Sequence, residues 1–253
     1  MSILIAEDNA LQRQFLADIL AGEFPDHAPI IEAEDGVSAT EIALRKKPDL
    51  CILDIQMPKI SGVKAARQIW QQNPATRIIF WTQFPDEVYI NEIRRIVRTV
   101  KPQPVYGFIH KNNPEARLLR FVATVLEDGV DMIDPAFKDA FNRPLLTEFE
   151  AEVLRYLALG LSNWAIARKC TVSMRGVESR LAALYEKLFS GASDELLTCD
   201  YEKLAYNVRT RAIFEALRRG LINPGELETE DREIKTWIER DRLRFEEENR
   251  AKQ

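Results

Sequence analysis

The sequence predicts an α/β domain with a doubly wound parallel sheet, followed by an all-α domain. Through about residue 128, short runs rich in β-branched residues alternate with stretches whose apolar residues recur at helical spacing. That alternation is typical of βα units around a parallel sheet. Beyond residue 143 only the helical spacing is found. A chain of 253 residues is also longer than the chains that commonly form a single hydrophobic core, so we expect two domains.

Five strands and five helices alternate strictly in the first domain, predicted to span residues 1–130. We predict the strands at residues 3–6, 29–33, 50–54, 77–82 and 105–109. Helical spacing predicts the helices around residues 11–20, 37–43, 63–69, 88–97 and 114–127. The pattern stops in DMIDPAFKDAFNR, so residues 131–143 are predicted to be a linker.

The second domain, predicted at residues 144–225, is read from its helix boundaries. Thr147 followed by Glu150 forms a capping-box pattern that starts its first helix. Gly160 ends that helix, and Ser162 and Ser173 can cap the next two. A further amphipathic helix is predicted at residues 208–219, and residues 226–253 are predicted to be a charged helical extension that packs through Trp237 and Phe245.

Composition describes an ordinary globular protein, with 46% hydrophobic and 30% charged residues. The sequence has no apolar run of about 18 residues, so a membrane span is not expected. MSILIAEDNA carries acids where a secretory signal carries cations, which favours a cytoplasmic protein. Cys51, Cys170 and Cys199 lack a short mutual spacing, which argues against a zinc site or a disulfide framework.

Polar residues gather where the predicted strands of the first domain end. Glu7 and Asp8 follow the first strand, Asp54 ends the third, Thr82 ends the fourth and Lys111 follows the fifth. Carboxyl ends of parallel strands share one side of a sheet, so these groups, called here the acidic edge, are expected to converge. Clustered carboxylates suit Mg²⁺, and a metal with one lysine can neutralise a phosphoryl group transferred to the central acid.

The order AED, DIQMPKISG, WT and FIHK resembles the receiver domain of bacterial two-component response regulators, which has a flavodoxin-like (βα)5 fold. The resemblance implies that a histidine kinase phosphorylates Asp54 with Mg²⁺ bound, and that the protein is a regulator and not an enzyme. It places the metal at Glu7, Asp8, Asp54 and the backbone carbonyl of Gln56. It assigns phosphoryl contacts to Thr82 and Lys111, and the conformational switch to Thr82 and Phe108.

Two departures from the family pattern stand near these motifs. Gln83 follows Thr82, where the family usually has a small residue that leaves a path to the phosphoacceptor. Extra residues in RRIVRTVKPQPVYG lie on the face that receivers use to dimerise.

The segment LTEFEAEVLRYLALGLSN, then AIARKCTVS and GVESRLAALYEKL, resembles the LuxR-type helix-turn-helix domain. The resemblance implies that the helix starting near Met174 enters the major groove of promoter DNA. It also implies a homodimer through residues 208–222. Candidate DNA contacts are Arg168, Lys169, Arg175, Glu178, Ser179 and Arg180. Residues 190–206 lengthen a connection that is short in the family.

DNA readout is not the only function that the second domain allows. Only residues 143–189 carry more cations than acids, and by a small margin. Glu178 stands where the family usually has a lysine, so the helices could instead bind a protein partner such as RNA polymerase. An enzymatic output is a poorer option, since residues 144–253 contain no histidine and no nucleophile-base spacing.

Overall fold

The computed structural model describes residues 2–27, 29–83, 86–190 and 206–250, and the chain divides into two units at Asn142 and Arg143. The lengthened connection at 190–206 lies mostly outside the described residues, as does Cys199. Within the described part, no helix is long and apolar enough to cross a bilayer.

The first unit contains a parallel sheet with helices on both faces, as predicted. Its strands are β1 (Ile3–Ala6), β2 (Ile30–Ala33), β3 (Leu50–Leu53), β4 (Arg77–Thr82), β5 (Tyr106–His110) and β6 (Met132–Ile133). Their order in the described residues is β2-β1-β3-β4-β5-β6. The helices are α1 (Ala10–Glu23), α2 (Gly36–Lys46), α3 (Gly62–Gln72), α4 (Glu87–Thr99) and α5 (Glu115–Ala123), the last continued by a π-helical turn at Thr124–Asp128.

Each face of the sheet has its own core. Helices α2, α3 and α4 cover one face, where Trp70, Phe80 and Phe108 are fully buried. Helices α1 and α5 cover the other, where Leu16 and Phe121 are buried. Strands that are apolar on both sides, as β1 and β3 are, therefore lie at the centre of a three-layer unit.

The prediction of a linker at residues 131–143 is wrong for most of that segment. Met132 and Ile133 pair with β5 as β6, a 3₁₀ turn follows at Pro135–Phe137, and α6 spans Lys138–Asn142. Phe137 is 1% exposed, so this short segment gains its order from burying aromatic surface against the sheet. The segment also covers the outer edge of β5.

The second unit is helical. Its elements are α7 (Glu148–Ala158), α8 (Asn163–Lys169), α9 (Met174–Phe189), α10 (Val208–Arg218) and α11 (Pro224–Arg250). The predicted capping box is present, with Thr147 N–H donating to Glu150 Oε2 at 2.7 Å and Glu150 N–H donating to Thr147 Oγ1 at 3.2 Å. Ser162 and Ser173 cap α8 and α9 through their hydroxyl oxygens, as predicted.

The charged extension is a helix, as predicted, and it packs on the second unit. Ile234 is 4% exposed within the core that α7 to α10 form, and Leu227 and Trp237 pack against that core. Ile238, the residue after Trp237, is 48% exposed. The helix is therefore a packed element through about Trp237.

Candidate functional site

Strand ends of the sheet position the acidic edge. Beyond the strands the backbone ladder continues, with Asp54 N–H donating to the Ala6 carbonyl at 2.9 Å and Lys111 N–H donating to the Thr82 carbonyl at 2.9 Å. These bonds fix the residues that follow β3 and β5 beside their neighbours. The structure thus brings together the residues that the sequence placed at the acidic edge.

Gly62 allows helix α3 to begin directly beside Asp54. A Cβ atom at this position would lie 2.0 Å from the Asp54 carbonyl oxygen, a distance that no side chain tolerates. Gly62 N–H donates to the Ile55 carbonyl at 2.9 Å, which closes the turn. The glycine in DIQMPKISG therefore serves the close approach of two backbone segments.

Lys111 is the centre of the polar contacts at the acidic edge. Its Nζ donates to Glu7 Oε2 at 2.6 Å, to Asp54 Oδ2 at 3.0 Å and to Gln12 Oε1 at 2.9 Å. An ammonium group has three donors, so these three acceptors use all of them. The Nζ atom also lies 5.0 Å from the centroid of the Trp81 ring. Gln12 was not predicted, because a glutamine in the first turn of a helix has no signal that links it to a strand end.

Three carboxylates lie close enough to share one cation. Glu7, Asp8 and Asp54 each offer an oxygen within 4.8 Å of the others, and Asp8 is exposed while the other two are buried. Hard oxygen donors at this spacing, open on one side, fit Mg²⁺, which keeps part of its water shell. The donor set therefore fits the expected metal.

Burial raises the pKa of Asp54 above its ordinary value, against the lowering effect of Lys111 and of the backbone N–H groups of Ile55 and Gln56. Burial likewise raises the pKa of Glu7, and the nearby Asp54 charge adds to the rise while Lys111 opposes it. Two crowded carboxylates thus resist ionising together. A further cation at this site would relieve that repulsion.

The predicted switch residues lie inside the first unit. Thr82 is 1% exposed and Phe108 is fully buried. The ring centroid of Phe108 lies 4.7 Å from that of Phe137 and 5.3 Å from that of Phe141, both in edge-on geometry. Phe108, the predicted switch aromatic, therefore packs against the segment that follows β6. Gln83, the departure from the family pattern, is exposed.

The candidate DNA contacts in the second unit fall into two groups. Side chains exposed on α9 form the first group, which consists of Arg175, Glu178, Ser179 and Arg180. Arg180 also stacks on Phe149, with the guanidinium carbon 4.3 Å from the ring centroid. Arg168 and Lys169 at the end of α8 form the second group and are only partly exposed, because they contact α11.

Family models match both halves of the chain. The response regulator receiver domain matches residues 3–123, and the luxR family of bacterial regulatory proteins matches residues 144–194. The chain belongs to the two-component response regulators that join a receiver domain to a LuxR-type DNA-binding domain.

Curated relatives agree with this assignment. The oxygen regulatory protein NreC of Staphylococcus carnosus is 31% identical over 216 residues, covering 78% of this chain and 95% of the relative. The transcriptional regulatory protein DegU of Brevibacillus brevis is 26% identical over 241 residues, covering 88% and 95%. The Salmonella typhimurium response regulator RcsB shares the fold, with a TM-score of 0.56 at 19% identity over 79% of this chain and all of that one.

Proposed function

We propose that Asp54 accepts a phosphoryl group from a histidine kinase and that this modification controls the output of the second unit. The observation that carries the proposal is the position of Asp54, whose Oδ2 lies 3.0 Å from Lys111 Nζ and whose carboxylate clusters with the two that follow β1. A nucleophilic oxygen, a fixed cation and a metal-binding acid pair are the parts that phosphoryl transfer needs.

Glu7, Asp8 and Asp54, with the backbone carbonyl of Gln56, would hold Mg²⁺. The metal supplies neutralising charge for the phosphoryl oxygens when it is bound. The chain's own groups orient the nucleophile: Ile55 N–H donates to Asp54 Oδ1 at 2.7 Å, which leaves Oδ2 facing Lys111. As an Asp54 oxygen bonds to phosphorus, the bond from phosphorus to the donor imidazole breaks.

Thr82 and Phe108 are proposed to report the modification. Thr82 ends β4, where its carbonyl accepts from Lys111 N–H, so its hydroxyl is suited to a phosphoryl oxygen, and we propose that its movement is passed to Phe108 on the neighbouring strand β5. Because Phe137 and Phe141 pack on Phe108, a shift of that ring disturbs the segment 131–142. A ligand shifts such an equilibrium only by its differential affinity for the two states.

Substitution of the phosphoacceptor tests this part of the proposal. Full-length protein is incubated with Mg²⁺ and a small phosphodonor such as acetyl phosphate, and intact mass spectrometry measures the phosphorylated fraction. Asp54→Asn should abolish the product. Asp18→Asn, which removes an exposed carboxylate from α1, should leave it unchanged. Equal phosphorylation of wild type and Asp54→Asn would show that the site is elsewhere.

The proposed output is promoter binding by a homodimer. Helix α9 presents Arg175 and Arg180 for phosphates or guanine edges. Helix α10, within the predicted dimer segment 208–222, exposes Phe214 and Leu217, at 51% and 44%, which supports a contact between copies. Light scattering with and without a phosphoryl mimic measures that contact.

Both the kinase and promoter DNA belong to the cytoplasm, so a cytoplasmic location is part of the proposal.

A second candidate output is binding of a protein such as RNA polymerase. The exposed Glu178 on α9 and the engaged cations of α8 favour it. Binding of duplex DNA over a salt series separates the two candidates, because contacts from arginine to phosphate weaken steeply as salt rises. Binding that ignores salt, or no binding, would favour the protein partner.

A further inference from the structure

Helix α11 reaches past the core of the second unit and onto the end of α8. Its first part is anchored by Ile234, which is 4% exposed, and by an ion pair between Arg155 Nε and Glu230 Oε1 at 2.7 Å. Beyond Trp237 the helix buries little apolar surface against that core. Its polar contacts there need an explanation other than packing.

The strongest of these contacts is a two-pronged ion pair. Arg168 Nε donates to Asp241 Oδ2 at 2.8 Å and Arg168 Nη2 donates to Asp241 Oδ1 at 3.0 Å. The side chains retain 25% and 15% of their exposure, respectively, so the pair is partly shielded from water. This fork geometry is the one by which arginine binds either a carboxylate or a phosphate.

Aromatic rings on α8 and α11 enclose the same arginine. Its guanidinium carbon lies 5.3 Å from the Trp164 ring centroid and 5.7 Å from that of Phe245. The two rings meet edge-on at 5.7 Å. The next residue of α8, Lys169, places its Nζ 5.4 Å from the centroid of the Trp237 ring. Both candidate DNA contacts at the end of α8, Arg168 and Lys169, are thus covered by α11.

The covered cations adjoin the helix-turn-helix. Asp241 and Arg244 line an open cavity of about 590 Å³ together with Thr171, Val172 and Met174. Thr171 and Val172 lie in the turn between α8 and α9, and Met174 is the first residue of α9. A nucleic-acid backbone that approaches this turn meets α11 as well.

We propose that α11 is an internal competitor of the DNA backbone, in which Asp241 occupies the Arg168 fork that a phosphate would otherwise take. This inference rests on the proposed DNA-binding function. The Nε edge of one guanidinium accommodates a single bidentate acceptor, so DNA must displace Asp241 to reach it. The Asp241 carboxylate beside the turn also repels a polyanion. Displacing α11 costs free energy, so DNA binding is weaker than it would be for the same helix-turn-helix without α11.

Asp241→Asn tests the proposal in the full chain, with Asp231→Asn as the matched control. Both changes remove one negative charge from α11 and keep the side-chain shape, but Asp231 lies in an exposed ion pair with Lys235 four residues on. Fluorescence anisotropy of a random-sequence duplex measures affinity. Asp241→Asn should tighten binding by about fivefold, as the loss of a shielded pair allows, and Asp231→Asn by less than about twofold. The slope of log K against log salt should steepen by about 0.9, one phosphate contact.

A second substitution shows whether Arg168 carries the effect. Arg168→Met should change the wild-type affinity little and should remove the gain in the Asp241→Asn background. Phe245→Ala, which opens the aromatic enclosure without touching the charges, should also tighten binding. Equal binding by Asp241→Asn and Asp231→Asn would overturn this proposal and leave the proposed DNA binding standing. Weaker binding by Asp241→Asn would also overturn it, since α11 would then be part of the DNA surface. No binding by any variant would overturn the DNA function and this inference with it.

Discussion

Each unit carries a segment that follows its predicted domain, and the two segments differ in what their polar residues touch. On the first unit, residues 131–142 bury Phe137 against the sheet and leave the acidic edge to its own contacts. On the second, α11 buries Ile234 and then places Asp241 on Arg168, a predicted DNA contact. Apolar burial orders both segments. Only in α11 do the polar residues that follow reach a predicted functional side chain.

The largest expected effect tests whether residues 131–142 belong to the first unit's fold. Phe137→Ala should lower the free energy of unfolding of that unit by about 4 kcal/mol, because a fully buried aromatic leaves a cavity beside Phe108. Hydrogen exchange read on peptides of β5 and β6, followed through urea unfolding, measures the change. Lys138→Ala, at an exposed position in the same segment, should change it by less than about 0.5 kcal/mol. Equal effects of the two substitutions would indicate that this segment is a linker, as predicted from the sequence, and not part of the first unit's fold.

A smaller effect is expected where α11 packs. Ile234→Ala should cost the second unit about 3 kcal/mol, since an isoleucine that is 4% exposed loses both its burial and its neighbours' contacts. Ile238→Ala, one turn further and half exposed, is the matched control and should cost less than about 1 kcal/mol. Thermal unfolding followed by tryptophan fluorescence provides the measurement. A costly Ile238→Ala would mean that the helix packs along more of its length.

Strand ends explain why the acidic edge could be predicted while α11's contacts could not. Parallel strands bring residues distant in sequence to one side by a rule, so Asp54 and Lys111 could be paired before the structure was known. No comparable rule joins Arg168 to Asp241, which are 73 positions apart on two helices. Gln12 was missed for a related reason: its contact depends on the angle of α1 over the sheet.

Segment length set another limit. Strand β6 has only two residues, too few for an alternation to be recognised, and α6 has five. Aromatic residues in DPAFKDAFN were the available signal, because Phe137 and Phe141 are four apart and face one side of a helical turn. Read as a buried pair, they would have predicted a packed segment in place of a linker.

The two units also differ in how strongly the ion pairs of one cation in each, Lys111 and Arg168, should stabilise the fold. Lys111→Met leaves Glu7 and Asp54, both nearly buried, without their shared partner, so the first unit should lose about 2 kcal/mol, between the values for exposed and for buried pairs. Arg168→Met breaks a pair that keeps more solvent contact and should cost less than about 1 kcal/mol. Urea unfolding in metal-free buffer measures both. Added Mg²⁺ should not lower the stability of either variant further. A Lys111→Met protein as stable as wild type would indicate that the Glu7 and Asp54 carboxylates are protonated in the folded state.

The smallest effect contrasts Asp241 with Glu150, an acid for which one partner, Thr147, is local in sequence and was predicted. Burial raises the pKa of Glu150, but the hydrogen bonds from Lys187 and from Thr147 lower it more, so the pKa lies below its ordinary value of 4.5. A depressed folded-state pKa contributes stability that is complete above the ordinary value and is lost as the pH falls through the folded value. We therefore expect the second unit to lose the stability that this group contributes on acidification below pH 4.5. Glu150→Gln, which keeps an acceptor for the Thr147 cap, should flatten that part of the stability profile. An unchanged profile in Glu150→Gln would show that Glu150 is not the source of the acid sensitivity.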